Sequence, residues 1–404
     1  MVFDEILGLA LEYTQGGDVK TKMIDLLDLS AETDVRALAE SIKAAEPVIT
    51  ESVMDQLVET LQKLQAKLQA KVCDTNAKHY YKYKTLQTHL LPVTSIALDK
   101  LGKRCLTGSY DRTCKVWDID SGTELLTLEG HKNVVYAVSF NNPTSTAKVW
   151  CSRTGHCLAT MWGHDAEVVV AKFSPTQCSL TTGSIDATSK IFHVETGQEL
   201  GTLRGHTAEV IALHYNDDGN QIISGSFDGT VNIWDARTFA RTSVLVGHHA
   251  ALSNCLYNFD CSLIASSSMD KSAKIWDARM NSCVATLRGH EDELLDLAFD
   301  NNGKKLATAS SDTTARVWDI SSTFQQLTLM KGHQEEVSKV CFSPNGRQLL
   351  TASLDRTARL WSVDDGSCFQ QLKGHTDDVF ACAFSYAGDS IITASKDNTC
   401  TIWR

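Results

Sequence analysis

The sequence has 404 residues, enough for a sizeable buried core, with 43% apolar and 22% charged residues and only 5 prolines, values that exclude a wholly disordered or collagen-like chain. Its 38 Lys and Arg against 49 Asp and Glu leave a net charge of −11, which disfavours phosphate-backbone binding, so no nucleic-acid partner is expected and basic partners are favoured. The 13 cysteines are odd in number and include no Cys-x-x-Cys pair. No charged-then-apolar leader follows Met1, no apolar run is long enough to span a bilayer, and no Asn-x-Ser/Thr acceptor occurs. A reducing cytoplasmic setting without membrane insertion is expected.

Residues 1–79 read as a small α-helical domain. Thr33 is placed to cap a helix over residues 34–46, whose Val35, Leu38, Ala39, Ile42 and Ala45 share one face and which ends at Pro47. A longer helix is predicted over residues 52–72, with Met54, Leu57, Leu61, Leu64, Leu68 and Val72 in one apolar stripe. That stripe either packs within the small domain or docks on a neighbour. Residues 1–80 carry 8 basic and 14 acidic side chains, so about half of the net charge lies there.

Beyond residue 80 short strands recur at a fixed period. Gly-His appears at His131, His164, His206, His248, His290, His333 and His375, with Thr88-His89 as a variant, at spacings of 42, 33, 42, 42, 42, 43 and 42 residues. In seven of these eight units an aspartate follows the histidine by 22 residues: Asp111, Asp186, Asp228, Asp270, Asp312, Asp355 and Asp397. Six residues further on stands an aromatic: Trp117, Phe192, Trp234, Trp276, Trp318, Trp361 and Trp403. Each unit has room for about four alternating strands, a sheet that cannot bury both faces alone but does so when stacked around an axis.

This lattice, over residues 81–404, resembles the WD-repeat family. The expected fold is an all-β WD-repeat propeller of eight blades over residues 80–404, with a shortened second blade, preceded by the helical domain of 1–79. Residues 81–87 line up with outer strands such as 124–129, and the last repeat Trp is followed only by Arg404, so 81–87 is predicted to pair with the last blade and close the ring. The family pattern implies a chain of hydrogen bonds from the turn Asp to the His, from the His to the Ser two residues before the Asp, and from that Ser to the Trp indole. It gives structural roles to His206, Ser226, Asp228 and Trp234, and to His290, Ser310, Asp312 and Trp318. A buried imidazole needs a partner at each nitrogen, and a constellation repeated around a ring argues for structure rather than catalysis.

The second unit is short. Between His131 and Trp150 there are 19 residues where the other units have 28, too few for a second strand and its turn. Either the written sequence lacks residues, the favoured reading, or this blade is three-stranded. A peptide map spanning Val138 to Arg153 decides between them.

No nucleotide loop, nucleophile elbow, zinc-protease motif or metal-spaced Cys/His cluster is present, so no enzyme, cofactor or metal is expected. The residue before each turn aspartate should lie on the upper rim, and there Tyr110, Ile185, Phe227, Met269 and Leu354 are apolar where a turn favours polar residues. Three residues after the histidines come Glu167, Glu209, Glu293, Glu336 and Asp378. The expectation is a partner-binding rim, apolar at its centre with an acidic surround.

The leader segments 22–29 and 40–47, the repeat ring and the ending 374–404 together resemble the WD-repeat dynein-assembly family. That resemblance implies a non-catalytic, monomeric cargo adaptor in the cytoplasm and cilium. Its partners would be outer-arm dynein subunits and intraflagellar transport particle proteins. The short second blade departs from the family. Two Trp-Asp-Ala-Arg segments ending at Arg237 and Arg279 resemble the docking box of cullin ubiquitin-ligase substrate receptors, which is the leading alternative beside a generic scaffold. A lissencephaly-type dynein regulator would need an N-terminal dimerisation motif that is not found.

Overall fold

Period-two alternation commits the repeat region to short antiparallel strands, and the computed structural model shows how they stack. It describes residues 8–15, 18–25, the single positions 39, 54 and 58, and residues 79–404 other than 88, 100, 101, 132, 133, 136–146, 152, 153 and 177. The chain divides into two units, Met1–His79 and Tyr80–Arg404.

In the first unit Gly8–Gln15 pairs antiparallel with Asp18–Asp25, from Gly8 opposite Asp25 to Gln15 opposite Asp18. This corrects the all-helical expectation for residues 1–79. The intervening Gly16-Gly17 is a dipeptide that two-residue hairpin turns favour, a signal that the helical reading passed over. Of the helices expected at 34–46 and 52–72 the described residues include only Ala39, Met54 and Val58, each in α-helical backbone; the rest of both spans lies outside the described residues.

Among its described residues the second unit contains seven four-stranded antiparallel sheets; in six the strands follow sequence order from the inside outward, and in the seventh the outermost strand comes from the start of the unit. Blade 1 runs from Val93–Leu98 to Glu124–Leu128, blade 2 from Val168–Phe173 to Glu199–Arg204, and blade 3 from Val210–Tyr215 to Arg241–Val246. Blade 4 runs from Leu252–Tyr257 to Ser282–Arg288, blade 5 from Leu294–Phe299 to Gln326–Lys331, and blade 6 from Val337–Phe342 to Cys368–Lys373. Blade 7 joins Val379–Phe384, Ile391–Ser395 and Thr399–Trp403 to Lys82–Gln87, which pairs from Lys82 opposite Trp403 to Gln87 opposite Thr399. The Arg404 amide donates to the Tyr81 carbonyl at 2.9 Å, and the Arg404 guanidinium meets Asp120 and lies 4.6 Å from the Tyr83 ring centre.

The expectation of eight blades is therefore corrected to seven. Of the short second unit, only a hairpin forms a sheet among the described residues, Ala147–Trp150 with Cys157–Met161. With nine residues fewer than its sisters, this unit lacks the length for a complete blade. Its Ala147, Val149, Ala159 and Met161 pack on Ala171, Leu180 and Phe192 of blade 2, while Trp150 packs on the Leu106, Val116 and Leu128 cluster of blade 1.

The core lies between the blades. Ile223, Val231 and Ile233 of blade 3 pack on Cys255, Tyr257, Ile264 and Trp276 of blade 4, and the same pattern of facing sheets recurs around the ring. Inner strands of successive blades adjoin from blade 2 through blade 7, and Val379–Phe384 of blade 7 adjoins Val93–Leu98 of blade 1.

Candidate functional site

Each blade places its histidine on the loop before the inner strand, its aspartate in the turn after the second strand and its aromatic in the third. In blade 3 the His206 Nδ1 meets Asp228 Oδ2 at 2.8 Å and its Nε2 meets Ser224 Oγ at 2.7 Å, while the Trp234 indole N–H donates to the same Ser224 oxygen at 2.8 Å. In blade 5 the His290 Nδ1 to Asp312 and Nε2 to Thr308 distances are 2.7 and 2.9 Å, and Trp318 donates to Thr308 at 3.0 Å. The expected role of Ser226 and Ser310 is corrected here: the relay hydroxyl lies four residues before the Asp, not two. Ser226 instead donates to the Ala208 carbonyl at 2.9 Å and accepts the Asp228 amide at 3.1 Å; Ser310 does the same with Glu293 at 2.8 Å and Asp312 at 3.1 Å. Both positions face the same side of the second strand, but only the deeper one lies level with the indole.

One tautomer satisfies the relay: Nδ1–H donates to the carboxylate, and Nε2 accepts from the hydroxyl, whose oxygen in turn accepts the indole N–H. Burial acts to raise the Asp228 pKa, but hydrogen bonds from Thr230, the Thr207 amide and His206 outweigh it and hold it below the usual carboxylate range. Burial lowers the His206 pKa, although Asp228 works in the opposite direction. The Ser-His-Asp order invites comparison with a hydrolase triad. Ser224 is fully buried and its oxygen is already engaged by Trp234, so no nucleophile faces solvent. In the short unit the buried Trp150 indole N–H has no partner among the described residues.

The turn residues and the acidic lead-in residues meet through the backbone. The amides of Ile185, Phe227 and Leu354 donate to the carbonyls of Glu167, Glu209 and Glu336 at 3.0, 2.9 and 3.0 Å. Ser311 and Lys396 do the same to Glu293 and Asp378, both at 2.9 Å. In blades 1 and 4 the acceptors are Pro92 and Ala251, for the amides of Tyr110 and Met269. Tyr110, Ile185 and Phe227 are 43%, 40% and 42% exposed, whereas Met269 and Leu354 are half-buried. Asp378 is neutralised by Lys396 Nζ at 3.0 Å; Glu209, Glu293 and Glu336 have no ion pair among the described residues. Each described blade thus places its rim side chain beside a lead-in residue, and in five of the seven that neighbour is acidic.

Sequence reasoning missed a polar cluster on the inner strands. The nearly buried Asp296 of blade 5 accepts from Lys339 Nζ of blade 6 and from Asn254 Nδ2 of blade 4, both at 2.9 Å, and from the Val340 amide at 3.2 Å. Burial opposes the Lys339 charge, but Asp296 outweighs it and raises the pKa. The cluster ties three blades together at a position where the other units have Ser95, Val170, Ala212 and Ala381; comparing that position across the repeats would have exposed it. The Trp-Asp-Ala-Arg segments are turns, in which Asp235 and Asp277 accept the amides of Arg237 and Arg279 at 2.9 and 2.8 Å.

Seven blades of one repeated sheet, each pinned internally by its own His–Asp–hydroxyl relay, completed by an indole in all but blade 2, where Phe192 stands, define a WD-repeat propeller. The family described as WD domain, G-beta repeat matches residues 81–118, 155–193, 197–235, 239–277, 281–319, 324–362 and 366–404, and the chain belongs to it. It is similar over part of its length to proteins named Dynein assembly factor with WD repeat domains 1. The identity is 55% over 136 residues with the Rattus norvegicus protein, 54% over 137 with that of Homo sapiens and 52% over 136 with that of Danio rerio. Each of these matches covers 34% of this chain and 32% of the relative, so the matched stretch spans about a third of the relatives' length.

Proposed function

We propose that this chain is a non-catalytic adaptor in dynein assembly. Its rim would hold outer-arm dynein subunits, and the same molecule would engage intraflagellar transport particle proteins, acting as a monomer in the cytoplasm and at the base of the cilium. The observation that carries the reading is the rim itself. Exposed Tyr110, Ile185 and Phe227 stand on turns whose amides are fixed to neighbouring lead-in carbonyls, so a partner would meet side chains already held in place. The partial identity to the dynein assembly factors supports the choice of cargo. The ligase reading draws no support from Arg237 and Arg279, whose amides serve local turns.

Affinity capture from ciliated cells tests the proposal, with the full chain and a Phe227→Ala/Met269→Ala double variant as baits. Dynein and transport-particle subunits should be recovered by the wild type and reduced at least about tenfold by the variant at unchanged melting temperature. Recovery of cullin adaptors in their place, or equal recovery by both baits, would overturn it.

A further inference from the structure

A cavity of about 310 Å³ opens beside the turn of blade 4, lined by His249, Asp270, Lys271, Ser272, Lys274 and Arg288. Its charge runs against that of the molecule: three permanent cations converge in a chain whose net charge is −11.

Sister blades show what is missing there. Two residues before the repeat aromatic, Lys115 of blade 1 meets Glu124 at 2.8 Å and Thr127 at 3.1 Å; Lys190 of blade 2 meets Glu199 and Thr202 at the same distances. In blade 4 the residue in place of that glutamate is Cys283, and among the described residues Lys274 Nζ has only the Thr286 hydroxyl, at 2.9 Å. Arg288 is exposed at the end of the outer strand and has no ion pair among the described residues; its counterparts are Glu129 in blade 1 and Arg204, Lys331 and Lys373 in blades 2, 5 and 6. Lys271 donates to the Glu291 carbonyl at 2.8 Å and lies 3.4 Å from Asp292. The lining carboxylate is already occupied: Asp270 Oδ2 is held by His248 and Oδ1 by the Ser272 hydroxyl and amide. Set against Asp270 and Asp292, the three cations leave one positive charge uncompensated. Other units also carry a cation at the Lys274 position: Arg316 of blade 5 is held by Gln326, Lys148 of the short unit donates to Thr160 at 3.1 Å, and Arg359 of blade 6 lies 3.8 Å from Asp355 and over the Trp361 ring.

We propose that this pocket binds a phosphomonoester, presented by a phosphorylated serine or threonine of a partner segment. The planar Arg288 fork suits two phosphoryl oxygens, and Lys274 supplies a point charge held in place by Thr286. A dianion gains more from this surplus than a single carboxylate does, and the cavity has the size of a side chain rather than of a folded domain. The site shares the blade 4 turn with rim residue Met269 but is lined by none of the apolar rim side chains, and its test requires no dynein partner.

The test titrates the full chain with three probes, N-acetyl-phosphoserine amide, N-acetyl-glutamate amide and inorganic phosphate, read by calorimetry and phosphorus NMR. Phosphoserine amide should bind at least about fivefold tighter than the glutamate amide. Arg288→Gln and Lys274→Met should each weaken it at least about fivefold while the melting temperature holds. Arg288 is exposed, so its variant stays informative even if Lys274→Met perturbs packing. Equal binding of the glutamate amide, wild-type affinity in Arg288→Gln, or binding of inorganic phosphate without the phosphoserine amide would overturn the proposal.

Discussion

The Phe227 amide donates to the Glu209 carbonyl oxygen at 2.9 Å, so an apolar rim side chain and an acidic neighbour are joined by their backbones and leave both side chains for a partner. Charge at Glu209 can therefore be changed without breaking the turn. Glu209→Lys with Glu336→Lys should shift stability by no more than about 0.5 kcal/mol, as surface substitutions do. The same pair should slow capture of a basic partner and reduce its salt dependence, which association rates measured at two ionic strengths would show.

Ser224 serves two buried donors and acceptors at once, whereas Ser226 ties a turn to a lead-in loop. Ser224→Ala strands both His206 Nε2 and the Trp234 indole, and should destabilise by about 2–4 kcal/mol in urea unfolding. The matching change in the short unit behaves differently. Among the described residues the Trp150 indole N–H has no partner to lose, so Trp150→Phe should cost only its packing, about 1 kcal/mol or less.

The buried His131 and the half-buried His214 predict an acid sensitivity that begins well above the carboxylate range. Burial, reinforced by Lys148, brings His131 down to about 4; burial, reinforced by Lys172, brings His214 down to about 3. The Tyr257 amide, 3.4 Å from His214 Nδ1, suits the neutral ring. An unfolded histidine titrates near 6.5, so the unfolded chain binds more protons below that pH; this stability is present above pH 6.5 and is lost as pH falls toward the folded values. Each histidine should contribute a loss on the order of 2 kcal/mol between pH 6.5 and 5, and His214→Gln should remove one such share. Asp270, held near 2 against burial by Ser272, His248 and the His249 amide, acts in a lower window, with stability lost as pH falls from about 4 to 2. Urea midpoints at pH 7, 5 and 3 separate the windows.

The blades were legible because their signal is written seven times: a histidine, an aspartate 22 residues on and an aromatic six further fix strand, turn and strand in every complete unit. The relay hydroxyl was assigned two residues too far along because Ser226 and Ser224 share one face of a strand and both carry hydroxyls; only depth separates them. The hairpin strands 8–15 and 18–25 escape the helical reading of 1–79 because that reading rests on the apolar stripes of 34–46 and 52–72 and gives no weight to the Gly16-Gly17 dipeptide. The pocket at Lys274 and the Asp296 cluster were invisible to motif search, since each is a departure from the repeat at a position where the repeat itself has no fixed residue. Such sites become visible only when sister positions are compared across the ring.

Ring closure supplies the last prediction. Lys82–Gln87 is the outer strand of blade 7, paired along Thr399–Trp403, and Tyr81 is bonded back to Arg404. Removing residues 1–79 leaves every one of these bonds in place, whereas removing residues 1–88 uncovers the backbone edge of Thr399–Trp403 and strips Leu86 from the cluster it forms with Ile402 and Cys400, exposing those two. An unpaired strand edge beside freshly exposed apolar surface is a template for association between copies. The shorter deletion should therefore melt as the full chain's propeller does and elute at its own mass. The longer one should melt lower and associate in a concentration-dependent way by size-exclusion chromatography with light scattering. Equal melting and equal monodispersity of the two would show that the ring does not depend on this strand.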